Sequence, residues 1–317
     1  MICLGIESTA HTFGIGIVNN KKVLANVKAA YTTKSGGIIP MDAAKHHEKN
    51  WKSVLEQALS DAKISLDDVD LVAYSRGPGL GPCLRVAREV VKELNKPFIG
   101  VNHCVAHLEA GKWETKAKDP VLLYASGANT QVIAFEGGKY RVFGETLDMG
   151  VGNFIDSFAR YMGLGFPGGP KLSNLSDSSD KEYIKLPYVV KGMDVSFSGL
   201  LTNLKQKYDS NNYKKENLAY SMQETIFAML LEVAERAMAH TGKNELLLGG
   251  GVACNNRLQE MSKLMCKGRK AKCFIPSNSL MLDNGAMIAV TGLKFYKGKK
   301  EIIESKPYER TDDVKIE

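Results

Sequence analysis

Two histidines four residues apart, His103 and His107 in the stretch VNHCVAHLEAG, are the side chains whose type and spacing most directly suggest chemistry. If the segment turns helical after Asn102, positions i and i+4 share a face and both imidazoles can reach one metal ion. The same spacing equally suits two ordinary histidines on a helix capped by Asn102, and the pair alone leaves both readings open. A HExxH metalloprotease is disfavoured, because Cys104 and Val105 follow the first histidine and no glutamate base stands there. Two imidazoles and a carboxylate make a Zn or Fe(II) set with open positions for a substrate. Asp283, where a strand-to-helix loop is expected, is a candidate third donor; a helix-capping aspartate is its plainer role.

Other stretches suit anions. Glu7 ends an apolar run and opens a Glu-Ser-Thr turn that can wrap phosphate oxygens, although an ordinary hairpin has the same sequence. Ser126-Gly127-Ala128-Asn129-Thr130 is a second small polar turn after a strand. Gly249-Gly250-Gly251 precedes a helix start, so backbone can approach a ligand closely there while the helix offers its first amides. The Gly/Pro turn over residues 76–82 also leads into a helix, but it lacks the GxxxxGK[ST] of a phosphate-binding loop. His46 and His47 sit near a helix start, with one of them expected inward.

The elements that must position these groups follow from periodicity. Residues 2–7 and the stretch GIGIVNNKKVLANVKA, a Gly-spaced strand and a third strand joined by an Asn-Asn turn, read as an antiparallel meander, followed by a helix over 42–63 and strands near 70–75 and 97–101. After a polar, irregular stretch at 112–120 the opening repeats, with strands over 121–125, 131–136 and 139–146 joined by polar and Gly-Gly turns. Helices are expected over 153–162 and 217–240, a strand at 245–248, another at 271–275 and a final helix over 286–296; residues 171–185, charged and Ser-rich, are expected to be solvated. This pattern predicts an α/β fold with internal duplication. In open α/β sheets ligands gather beyond the carboxyl ends of strands, and Glu7, the histidine pair, the Ser126 turn, the glycine loop and Asp283 all fall at such ends.

Composition bounds the rest. A chain of 317 residues with 44% hydrophobic residues can build one large domain or two ordinary ones. The six cysteines form no CxxC pair, no run approaches a membrane span, and the first residues lack a charged leader, so a cytosolic protein is expected. A net charge of +7 permits a polyanionic partner without requiring one.

Six motifs occur in order: HCVAH, YASGANTQVIAFEGGKYRVFGETLD, FPGGP, KGMDVSFSGLLT, GGGVACNNRL and DNGAMIA. Together they resemble the universal tRNA threonylcarbamoyladenosine transferase family, in its archaeal and eukaryotic branch, the catalytic subunit of the KEOPS complex. The resemblance covers essentially the whole chain. It implies the duplicated actin/Hsp70/sugar-kinase superfold, two lobes with a central cleft: residues 1–118 as the first lobe, 119–285 as the second, and 286–317 packing back on the first. It also implies transfer of the threonylcarbamoyl group from threonylcarbamoyl-AMP to the adenosine beside the anticodon of tRNA.

By that resemblance His103, His107 and Asp283 hold one iron or zinc ion, with Tyr124 near it. Tyr124, Ala125, Ser126, Gly127, Ala128, Asp156, Gly169, Ser173, Gly249, Gly250, Gly251 and Asn255 fall at nucleotide or substrate positions, for the adenylate or for ATP, ADP or AMP. No covalent nucleophile stands out, and Glu7 and His46 are candidate bases. The chain departs from the family at Ala128, usually glycine, at Ser173, usually an acid, and at Arg76 and residues 83–89, usually small and Thr-rich. A separate KEOPS kinase subunit and tRNA are the expected partners, with Lys263, Lys267, Arg269, Lys270 and Lys272 as candidate phosphate contacts. Two rivals remain: a small-molecule kinase on the same superfold, which prefers oxygen-bound Mg²⁺ over imidazole, and a non-catalytic nucleotide-binding scaffold.

Overall fold

The computed structural model describes residues 1–33, 37–299 and 301–314. The described residues form two compact units, one from Met1–Lys116, Gly138–Tyr140 and Ser277–Glu317, the other from Ala117–Gly137 and Arg141–Pro276.

In the first unit, β1 (Ile2–Glu7) pairs antiparallel with β2 (Thr12–Asn19), which pairs with β3 (Val23–Ala30). Helix α1 (Pro40–Ala62) leads to β4 (Leu71–Gly77), parallel to β1. Helix α2 (Gly81–Leu94) leads to β5 (Phe98–Asn102), parallel to β4, and α3 (His103–Thr115) follows without a break. The order is β3-β2-β1-β4-β5. Strands β1, β4 and β5 run the same way, so Glu7, Gly77 and Asn102 end at one edge. Their near-continuous apolar runs follow from cover on both faces. Ile6, Phe13 and Tyr74 pack with Val54 of α1 and Val91 of α2.

The second unit repeats this plan. Strands β6 (Val121–Ala125), β7 (Thr130–Glu136) and β8 (Lys139–Glu145) come first. Helices α4 (Val151–Tyr161) and α5 (Gly168–Asp177), a two-stranded ribbon of β9 (Val190–Lys191) and β10 (Asp194–Val195), and helices α6 (Ser198–Asp209) and α7 (Lys215–Thr241) follow. Then β11 (Glu245–Gly249), α8 (Asn256–Gly268) and β12 (Lys272–Phe274) complete it. The order β12-β11-β6-β7-β8 matches β5-β4-β1-β2-β3 strand for strand, with β6 antiparallel to β7 and parallel to β11. The duplicated α/β architecture is therefore present.

Local departures from expectation have physical causes. Residues 171–177 are helical rather than solvated coil: α5 starts inside the glycine-proline turn, Pro170 lies in its first turn where no amide donor is missed, and Leu172 and Ser176 are buried. Helix α6 had no counterpart in the sequence reading. Of the three glycines 249–251, only Gly250 has positive φ (89°), and a Cβ there would lie 2.3 Å from the Ala125 carbonyl oxygen.

Chain returning to the first unit forms α9 (Asn278–Met281) and α10 (Gly285–Phe295), close to the expected final helix. Residues 301–314 continue as an irregular segment; residues 300 and 315–317 of the expected 286–317 stretch lie outside the described residues. Ala286, Met287 and Ala289 of α10, with Ala106 and Ala110 of α3, cover the second face of the first sheet against Ala73 and Val101. This contact is unusually close. A Cβ on Gly16 would lie 2.1 Å from the Ala286 nitrogen, and one on Gly285 would lie 2.1 Å from the Gly16 nitrogen. Asp283 stands two residues before that contact, so the glycines set its position. No helix among the described residues is long and apolar enough to cross a membrane.

Substituting Gly16→Val should overpack this contact and destabilise the first unit by about 3 kcal/mol, read as a lower urea midpoint. A midpoint equal to wild type would show that α10 can move off the sheet.

Candidate functional site

Asn102 ends β5 in an extended conformation, and its side-chain oxygen accepts from the Cys104 and Val105 amides at 3.0 and 3.1 Å, starting α3 at His103. The i, i+4 spacing then places both rings on one helix face, 4.9 Å between centroids and nearly perpendicular at 82°. Asn284 caps α10 in the same manner, accepting from the Met287 amide at 2.9 Å, and this holds Asp283 just before the helix. Asp283 Oδ1 lies 3.5 Å from His103 Nε2 and 3.4 Å from His107 Nε2. Both imidazoles are buried, while Asp283 keeps 19% of its side chain exposed.

These distances suit an ion. Donors about 2.1 Å from a tetrahedral centre are about 3.4 Å apart, and all three ligand atoms lie within 4.8 Å of one another. Two imidazoles and one carboxylate favour zinc or iron over magnesium or calcium.

Glu7 stands behind His103. Its Oε2 is 3.0 Å from His103 Nδ1, and its Oε1 accepts from the Thr9 amide at 2.7 Å and from the Thr9 hydroxyl. A carboxylate on the far ring nitrogen leaves Nε2 for a metal and fixes the ring plane. Glu7 is fully buried and engaged in these bonds, so it serves His103 and is poorly placed as a base toward substrate. His46, the other candidate base, is half-buried on α1 with its Nδ1 3.3 Å from His47 Nδ1, while the buried His47 ring reaches the Ala10 carbonyl at 2.9 Å.

Burial pulls His103 toward the neutral form, but the Glu7 and Asp283 carboxylates outweigh it and raise its pKa to about 9. Burial, reinforced by the His103 charge, keeps His107 below the ordinary imidazole value despite the pull of Asp283. Desolvation pushes Asp283 up, and the two histidines overcome it, holding its carboxyl well below the usual carboxylate range.

The second unit holds the remaining predicted residues. Tyr124 and Ala125 are buried at the end of β6. Ser126 closes the next turn, its amide and hydroxyl both donating to the Asn129 carbonyl, and Gly127 and Ala128 are exposed. Ala128 is not among the positive-φ residues of the described chain, so alanine sits there without backbone strain. The carbonyls of Ser126 and Gly127 accept from the Gly152 and Asn153 amides at 3.0 and 2.9 Å, seating the turn on the start of α4. Asp156 of α4 accepts from the Gly168 amide at 2.7 Å and so holds the FPGGP turn; a Cβ on Gly169 would meet nothing within 4 Å. Asn255 caps α8 through the Arg257 and Leu258 amides, and its Nδ2 donates to Gln223 Oε1 at 2.9 Å and to Ser173 Oγ at 3.4 Å.

Two positions and one pairing carry no clear signal in the sequence. Gln223 supports Asn255 from mid-α7, where its side chain looks like any other helix position. Asp148 accepts from the Phe197 and Ser198 amides and the Ser196 hydroxyl, pinning the GMDVSFSG motif. The Glu7–His103 pairing spans 96 residues of chain; the only local sign was an acid ending a buried strand.

Residues 22–290 match the TsaD family, described as tRNA N6-adenosine threonylcarbamoyltransferase. A Thermococcus kodakarensis protein of the same description is 57% identical over 100% of this chain and 99% of its own length. A Methanosarcina acetivorans protein described as a probable bifunctional tRNA threonylcarbamoyladenosine biosynthesis protein is 52% identical over 99% of this chain, which spans 59% of that protein. Among solved structures, full-length HypF in its phosphate- and nucleotide-bound form superposes with a TM-score of 0.66 at 14% identity, covering 94% of this chain and 56% of that one. The last likeness speaks for the actin-like fold alone.

In metal-free buffer with chelator the His103 imidazole should titrate near pH 9 by NMR, with Glu7→Gln moving it down. A raised folded-state pKa stabilises the protonated folded form. That stability is fully present below about 6.5 and is lost as pH rises through about 9. The loss should be much reduced in Glu7→Gln; equal pH profiles would rule out the pairing.

Proposed function

The chain belongs to the TsaD family and is a tRNA N6-adenosine threonylcarbamoyltransferase, an enzyme of threonylcarbamoyladenosine synthesis; on that premise we propose that it works with one iron or zinc ion held by His103, His107 and Asp283. The observation that carries the proposal is the cluster of three donors with Glu7 behind one of them. Membership in this family sets aside the small-molecule kinase and the non-catalytic scaffold.

When bound, the ion supplies a Lewis acid able to stabilise negative charge on the adenylate's phosphate or carbamoyl oxygen. The chain's own residues do the holding. Glu7 keeps a proton on His103 Nδ1 and so presents Nε2 as a donor. His107, neutral through burial, needs to lose no proton to ligate. In the second unit, the Ser126–Ala128 turn, the open face at Gly169 and the backbone at Gly249–Gly251 are proposed to receive the adenylate, with Asp156 and Asn255 shaping those loops rather than reaching a ligand by the bonds described above. Tyr124 is proposed to contact substrate or ion from the end of β6.

The reaction needs no covalent enzyme intermediate. The exocyclic amine of the tRNA adenosine attacks the carbamoyl carbon of threonylcarbamoyl-AMP, the bond from that carbon to the phosphate oxygen breaks, AMP leaves, and the amine loses a proton. The proposed setting is a KEOPS-type complex in the cytoplasm with a separate kinase subunit. The bifunctional name of the Methanosarcina relative supports a kinase partnership only by analogy. Lys263, Lys267, Arg269, Lys270 and Lys272 are proposed to meet tRNA phosphates.

Reconstitution with tRNA, threonine, bicarbonate, ATP, an adenylate-forming enzyme and the partner subunits should yield modified adenosine. His103→Ala and His107→Ala should each lower the rate at least about a hundredfold while remaining folded. A variant of wild-type rate, or full activity after verified removal of all metal, would overturn the metal assignment.

A further inference from the structure

Arg76, next to last in β4, points its guanidinium at Glu309, far along the chain in the segment after α10. Nη2 lies 2.9 Å from Glu309 Oε1, and Nε lies 3.1 and 3.2 Å from the two oxygens. The Glu309 side chain is 4% exposed. Backbone bonds fasten the same segment alongside: the Lys306 amide donates to the Arg76 carbonyl at 2.6 Å, and the Gly79 amide to the Pro307 carbonyl at 3.1 Å. Glu301 accepts from the Gly100 amide at 2.9 Å.

A further contact of the Glu309 carboxylate leads to α3. Its Oε2 accepts from Asn102 Nδ2 at 3.1 Å, while Asn102 Oδ1 accepts the first amides of α3. A carboxylate can only accept, so Asn102 must turn its NH₂ toward Glu309 and therefore its oxygen toward the helix. Rotating the amide would place oxygen against carboxylate and NH₂ against backbone N–H, losing every bond at once. Glu309 thus selects the one orientation of Asn102 that caps α3, and His103 is the first residue of that helix.

We propose that Glu309, held by the Arg76 fork, is a positioning residue that locks the Asn102 cap and through it the backbone of His103. The effect on metal affinity rests on the metal reading above; the effect on the cap does not. Arg76 and Glu309 together join the C-terminal segment to the start of α3.

The test compares Glu309→Ala, Glu309→Gln, Asn102→Ser and the Glu309→Ala/Asn102→Ser double variant in the full chain. Hydrogen exchange at the Cys104 and Val105 amides is followed with Leu247 in β11 as reference, and Co²⁺ affinity is measured by competition with a chelator. Glu309→Ala should speed exchange at both amides and weaken Co²⁺ binding about tenfold, the scale of an outer-shell loss, with Leu247 unchanged. Glu309→Gln, which can still accept from Asn102, should recover most of both effects. The double variant should be no worse than Asn102→Ser, since both act through one amide. Unchanged exchange and affinity in Glu309→Ala, with only the melting temperature lowered, would reduce the pair to a tether and overturn the proposal. If wild type binds no Co²⁺, the metal reading fails, and exchange at Cys104 and Val105 alone decides for or against the lock.

Discussion

The buried pairing of His103 with Glu7 is the constraint on which the first unit's chemistry depends. A carboxylate with no solvent exposure would be costly in an apolar setting, and here the Thr9 amide, the Thr9 hydroxyl and the His103 ring share its charge. The imidazole in turn is fixed in plane and direction. Because Glu7 ends β1 and His103 follows β5, their meeting requires the parallel register that carries β1, β4 and β5 to one edge. The sheet is therefore what turns two distant residues into one device. The place of Asp283 depends on the glycine contact between α10 and β2, where a Cβ on Gly16 or Gly285 would meet backbone at 2.1 Å.

Duplication gives one plan two kinds of strand end. After Glu7 closes β1 the first unit has Ser8-Thr9, and after Ala125 closes β6 the second has Ser126-Gly127. After Gly77 closes β4 come Pro78-Gly79, and after Gly249 closes β11 come Gly250-Gly251. One copy placed side chains with ionisable groups at its strand ends, and the other kept small residues whose backbone is the accessible surface. In the second copy the residues with strong polar side chains, Asp156 and Asn255, hold loops and cap a helix.

Much of this was legible in the sequence, for reasons that differ by residue. The meander repeat showed because turn chemistry and period-two runs are local, and the histidine pair showed because i, i+4 is a property of any helix. Asp283 was legible only through its strand-end position and the ordered motifs. Helix α5 was misread because glycine and proline mark turns, although proline is tolerated in a first helical turn, and α6 carries too mixed a pattern to stand out. The pairing of Glu7 with His103 and of Glu309 with Asn102 joins residues 96 and 207 apart in sequence, which no local pattern encodes.

X-ray absorption at the iron and zinc edges of the purified chain reads the donors His103, His107 and Asp283 themselves. Bound metal is expected, with a first shell of nitrogen and oxygen at about 2.0–2.2 Å and imidazole scattering beyond it, all lost in the His103→Ala/His107→Ala variant. Metal content no higher than in that variant, or a shell of sulfur at about 2.3 Å, would contradict it.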